Sequence, residues 1–214
     1  MLSLRHAIIA ICLAGSALFA GTIDIQKIKI KGANQVKDLR YFMETGLVSA
    51  RNTSIEMQIE AYEKSLISYR EAKQGERNLA LKNAQQTYEK FSGEFKVISE
   101  IFRDLVDKHQ GILNERNAEP YADTTTKEKI LSTVEVGKQD ESRALAAYNN
   151  RNYNYSAHLY LRSLRHYHQA FELRKWQPLV KIYTAPKKKS ENKKVEKTET
   201  PEKAATAVKP AKGR

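Results

Sequence analysis

Cysteine occurs once in the chain, at Cys12, so no internal disulfide framework and no Cys-rich zinc or iron–sulfur site can form. Glycine is scarce, at 9 of 214 residues. That argues against a many-turned β-sandwich and against Gly-rich phosphate loops. The patterns HExxH, GxSxG, GxxxxGK[ST] and GxGxxG are all missing, so no metal, nucleophile or phosphate loop is placed by motif. The apolar run Ala7–Ala20 has 14 residues, short of the ~20 that span hydrocarbon.

What the chain does have is positive charge. Lys+Arg is 37 against 25 Asp+Glu, a formal charge of +12. Its distribution matters more than its size. Met1–Ala20, MLSLRHAIIAICLAGSALFA, places Arg5 before the apolar run and ends on small residues. That is the pattern of a secretory signal peptide, with cleavage expected near Ala20. Cys12 follows the bulky Ile11, which disfavours a lipid anchor, and cleavage would leave a mature protein with no cysteine. An exported protein does not normally meet genomic DNA, so nucleic acid falls away as a partner.

From Ala185 the composition changes. Residues 186–214 hold nine Lys and Arg214 against four Glu, with Pro186, Pro201 and Pro210 and no aromatic residue. Such a stretch buries too little apolar surface to offset ordering entropy, so a disordered Lys-rich tail is expected. With Arg5 set aside as well, +5 of the +12 is left for residues 21–185. The tail suits a solvated tether, or an anionic envelope surface held by ~1 kcal/mol per basic residue near it.

The body reads as helical. Residues 22–31, TIDIQKIKIK, alternate isoleucine with polar residues and suggest a short N-terminal strand ended by Gly32. Leu39, Phe42 and Met43 then form a short helix closing at Gly46, and 21–52 is expected to be an N-terminal adaptor arm. Thr53 and Glu56 have capping-box spacing ahead of the stripe Ile55, Ile59, Tyr62, Leu66, Tyr69. A second stripe runs Leu81, Ala84, Tyr88, Phe91, Phe95, Ile98, Phe102, Leu105, with a kink expected at Ser92-Gly93. Asn117–Thr124, with Pro120, is a loop. Thr125 and Glu128 repeat the cap spacing before Ile130, Val134, Gly137, Glu141, Leu145 and Tyr148. The turn Asn149–Asn152 leads to a last helix with Tyr153, Ala157, Tyr160, Leu164, Tyr167 and Phe171, stopped near Pro178. Two helices joined by so short a turn should form an antiparallel hairpin. The fold class expected is all-α, with residues 53–185 as the helical domain.

Ala147-Tyr148, Arg151-Asn152-Tyr153, Ser156-Ala157, Tyr160 and Leu164 resemble a tetratricopeptide hairpin, with Arg151 where the family has a turn glycine and Ser156 where it has alanine. Ala61–Leu66 echoes the second-helix pattern. No 34-residue period runs along the chain, so the resemblance implies hairpins rather than an array. The stretch NNRNYNYSAHLYLRSLRHYHQAF with the lysine-rich end is also similar to flagellar-coiling, or filament sheath, proteins of periplasmic flagella. That resemblance implies lateral packing along a filament.

Five histidines and scattered carboxylates show no catalytic or metal-ligand spacing; His166 and His168, two apart, point to different helix faces. The expectation is a protein that is not an enzyme, with no cofactor, no metal and no transmembrane helix once mature. Six of the eleven tyrosines lie between Tyr148 and Tyr183. Tyr155 falls off the core stripe. With Arg162, Arg165, Arg174 and Trp176 it is the candidate interface, since Tyr, Trp and Arg dominate contact hot spots. The function expected is an exported scaffold or structural protein of the cell envelope. It would act on other envelope proteins or on copies of itself; the alternative is a binder of anionic envelope polymer.

Overall fold

A computed structural model describes residues 25–183, and they are all-helical. The expected signal peptide (1–20) and Lys-rich tail (186–214) lie outside the described residues. Five α-helices follow in order: α1 (25–44), α2 (Asn52–Glu71), α3 (Arg77–Glu115), α4 (Thr124–Asn149) and α5 (Tyr153–Leu173). A 3-10 turn, Ser49–Arg51, leads into α2.

Of the expected strand over 22–31, the described residues 25–31 are instead the start of α1. The isoleucines alternate only locally. Over a longer window Ile25, Ile28, Val36, Leu39 and Phe42 are buried while Ile30 is exposed, which is a helical period. Gly32 does not end an element. It lies mid-helix, where a Cβ would overlap the Tyr62 hydroxyl. That hydroxyl donates to the Ile28 carbonyl at 2.9 Å, so α1 and α2 approach closely at the glycine. The stretch expected as an adaptor arm thus supplies Ile28, Val36, Leu39 and Phe42 to the same core as the later helices.

α3 is one unbroken helix of 39 residues, with no interruption at Ser92-Gly93. Its apolar stripe buries Ala84, Phe91, Phe95, Ile98 and Phe102 as the spacing requires. Phe42 of α1 packs edge-on against Phe95 and Phe102, at 6.2 and 5.5 Å between ring centroids. Burying one such ring contributes roughly 1.5–3 kcal/mol. Glu94, nearly withdrawn from solvent, accepts from Arg51 (2.8 and 2.9 Å), Ser54 (3.1 Å) and Gln58 (2.6 Å). A buried carboxylate with several donors is satisfied rather than stranded, and here it ties the start of α2 to α3.

The caps differ from those the spacing suggested. Thr53 makes no cap; Arg51 precedes α2 without a side-chain bond. At α4 the cap is Asp123, which accepts from the Thr126 amide (2.7 Å) and hydroxyl (2.6 Å), so the signal sits two residues upstream of Thr125. α4 and α5 both end in a left-handed residue that is not glycine: Arg151 and Lys175, each at φ 58°. The amide of Asn152 reaches the Ala147 carbonyl, and that of Trp176 reaches Phe171. Arg151 and Lys175 bond to Tyr148 and Glu172. Both ends are therefore Schellman caps. At the second, Trp176 packs edge-on against Phe171 at 5.7 Å, the apolar contact that accompanies such a cap.

The stripe expected on α4 holds at Ile130, Val134 and Gly137 and then shifts by one residue: Asp140, Ala144 and Ala147 are buried, whereas Leu145 is exposed. The reason is α5, whose large side chains leave room only for small ones opposite. A Cβ on Gly137 would come within 3.0 Å of the Tyr167 ring. Ser156 donates to the Ala144 carbonyl (2.9 Å) and Ser163 to Gly137 (2.8 Å). Partners fall along α4 as they rise along α5, so the two helices run in opposite directions. Ser156 also meets Ser99 of α3 at 2.8 Å, a buried hydroxyl pair joining three helices. α5 buries ten residues on several sides, including Leu159, Leu161 and Ser163 off the expected stripe, because α3, α4 and α1 all pack on it.

Candidate functional site

The five residues expected to form one basic aromatic face fall into groups: Tyr155 lies near Arg162 on the first half of α5, and Arg174 meets Trp176 at its end. Arg162 stays half exposed while its guanidinium bonds both oxygens of Asp140, a carboxylate buried on α4. That bond raises the Arg162 pKa, and His166 stands 3.7 Å from the same carboxylate. Arg165 places its guanidinium 5.7 Å from the centroid of Tyr41 on α1. Tyr155 is exposed, on the same half of α5 as Arg162.

Arg174 and Trp176 do come together, at the far end of α5, and they meet partners that sequence spacing did not indicate. Arg174 lies 3.5 Å from the ring centre of Tyr121 and 4.9 Å from that of Trp176. Arg116 lies 4.0 Å from Trp176, and Lys127 5.7 Å from Tyr121. The result is an alternating series, Lys127–Tyr121–Arg174–Trp176–Arg116. Cation–aromatic contacts contribute ~0.5–1 kcal/mol each where exposed and more where water is excluded.

The backbone positions each member. Arg116 caps the end of α3, and the short loop after it carries Tyr121 beyond Pro120. Arg174 Nη1 donates to the carbonyls of Glu119 (3.0 Å) and Pro120 (3.4 Å), which pins that loop to the end of α5. The Schellman cap at Lys175 turns Trp176 back over Phe171. Glu119 is held by Arg116, whose hydrogen bond lowers its pKa. Between the loop and residues 173–176 lies a cleft of about 390 Å³, with Ile130 and Leu173 in its lining. Arg116 and Tyr121 carried a weak signal in sequence: an aromatic and a cation flanking a proline in an otherwise polar loop.

The histidines are used in pairs across helices. His158 stands 3.3 Å from Asp38 and stacks on Tyr41 at 5.8 Å. His109 on α3 and His168 on α5 lie 4.9 Å apart, with Phe171 against His109 at 5.2 Å. His109 Nδ1 bonds the Leu105 carbonyl at 2.7 Å. Burial lowers the pKa of both rings, that of His168 to about 4. Among the described residues no three His, Cys, Asp or Glu side chains converge as a metal site, and no helix is long and apolar enough to cross a membrane.

Comparison with family models, with curated proteins and with solved structures finds no match for this chain.

Proposed function

We propose that the chain is an exported, non-enzymatic scaffold or structural protein of the cell envelope that works through protein–protein contacts. The observation that carries this reading is the cation–aromatic series at the end of α5. It is built from the residue types that dominate contact hot spots, held by backbone bonds, and open to solvent on Arg116 and Lys127. Export rests on the pattern of Met1–Ala20. Packing along a flagellar sheath is the narrower form of the proposal. Its support is the Tyr-rich stretch, of which Tyr160 and Tyr167 serve the core and Tyr155 is free to meet a neighbour.

The test is crosslinking of the full chain in its native cells, followed by identification of the captured proteins. The double charge reversal Arg116→Glu and Lys127→Glu should remove a recurrent partner while circular dichroism stays helical. An unchanged capture pattern overturns this surface. The second reading, an anionic envelope polymer held by the same cations and the Lys-rich tail, predicts pelleting with cell-wall or lipid fractions that weakens steeply with salt.

A further inference from the structure

We propose that the cleft between the α3–α4 loop and the end of α5 is a carboxylate-recognition site that takes an acidic segment of a partner protein. This rests on the scaffold reading above and names the chemistry of the partner.

The argument begins with charge. Arg116, Lys127, Arg174 and Lys175 stand around the cleft, against Glu119 and Asp123. Both carboxylates are already committed, Glu119 to Arg116 and Asp123 to the Thr126 cap. The cations thus outnumber these carboxylates by two; Arg116 is matched by Glu119, which also feels Arg174, so the excess rests chiefly on Lys127 and Lys175.

The second step is geometry. Cations of this chain already sit against both rings, Arg116 and Arg174 on Trp176, Arg174 and Lys127 on Tyr121. That leaves the rings poorly placed as platforms for a sugar. Arg116 spends its Nε and Nη2 on Glu119 and Arg174 its Nη1 on two backbone carbonyls, which leaves Arg116 Nη1 and Arg174 Nη2, with the lysines, to donate to a carboxylate. Stacking also fixes the guanidinium planes in advance, so less side-chain freedom is lost on binding. Ile130 and Leu173 give the cleft an apolar floor, which suits a peptide with an apolar side chain among its acids better than a bare polyanion.

The chain carries a single tryptophan, Trp176, so its emission reports this site alone. The experiment titrates the full chain with a short Glu-rich peptide containing one leucine, at ~50 mM salt, and with heparin as the polysaccharide comparison. Saturable change in Trp176 emission is expected with the peptide, weakened at least fivefold in Arg116→Gln and in Lys127→Gln, both exposed positions. Peptide bound elsewhere on the chain leaves the emission unmoved. No change up to ~1 mM peptide, equal affinity in the variants, or saturation by heparin with an inert peptide each overturns the proposal. A crosslinked protein partner with an inert peptide refutes the carboxylate chemistry alone. Peptide binding with no protein partner in cells refutes the scaffold reading instead.

Discussion

Acidification is expected to loosen α3 from α5, and the His109–His168 pair gives the size of the effect. The two rings lie 4.9 Å apart inside the interface, and both Nε2 atoms are buried without a hydrogen-bond partner. Around them stand the Leu105 carbonyl and the Phe171 ring; the charged influence on His168 comes from His109 itself. Desolvation therefore favours the neutral imidazoles. The His168 pKa falls from the ordinary 6.5 to about 4, chiefly through burial and then through the neighbouring His109. A folded-state pKa below the unfolded one means the stabilisation is whole above pH 6.5. It is lost as pH falls from there toward 4, because the unfolded chain takes up the proton first. At ~1.4 kcal/mol per pH unit the difference is about 3 kcal/mol as an upper limit; His168 is partly exposed, so roughly 1–3 kcal/mol is expected.

The assay is urea unfolding followed by circular dichroism at pH 7.5, 6.5, 5.5 and 4.8. The midpoint should fall across this range in the native chain and fall by less in His168→Phe, where His109 alone of the pair is left with a lowered pKa. Carboxylates with lowered pKa, Glu119 and Asp123, titrate below the window and leave it to the histidines. A midpoint that is constant between pH 7.5 and 4.8, or that falls equally in the variant, would refute the reasoning.

Removing Arg162 by R162A should cost ~1–3 kcal/mol in urea unfolding, because Asp140 remains buried with only His166 nearby. Glycine replacements should separate by site. Gly93→Ala faces open space mid-helix and should stabilise by up to ~1 kcal/mol, whereas Gly32→Ala drives a methyl into Tyr62 and should cost ~1–3 kcal/mol. Equal effects at the two positions would mean that the close approach of α1 and α2 is absent. Arg151→Gly relieves a left-handed cap and should raise the melting temperature, by an amount equivalent to no more than ~1 kcal/mol; a lower melting temperature would rule that cap geometry out.

Long apolar stripes were legible because a helix that buries one face must repeat it. The stripe of α3 from Leu81 to Leu105 and that of α5 from Tyr153 to Phe171 are partly or fully buried throughout. Two kinds of residue were not legible. Alternating isoleucines at the start of α1 satisfy a strand period over eight residues, and only the larger window, with Leu39 and Phe42 in register, decides for helix. On α4 the buried face continues from Ile130 and Gly137 through Asp140, Ala144 and Ala147, and the last three are residues that the hydropathy pattern did not mark as core. Their burial is a demand of α5, since small residues are what its tyrosines and leucines leave room for.

The same demand explains why the expected interface split. A helix packed on several sides keeps little lateral surface for a partner, and cations along its length pair with groups of this chain, as Arg162 does with Asp140 and Arg165 with Tyr41. Only where α5 ends does the backbone leave the core, and there Arg174 and Trp176 can meet residues from another loop. That meeting joins positions more than 50 apart in sequence, Arg174 with Glu119 and Pro120, which no local spacing encodes. In a bundle with a central helix, contact surfaces are therefore to be sought at helix ends and their loops. The decisive comparison is between Tyr155→Ala, mid-helix and exposed, and Arg116→Glu at the end. If partner capture is lost with the first and kept with the second, the lateral face rather than the end carries the interface, and the placement argued from burial fails.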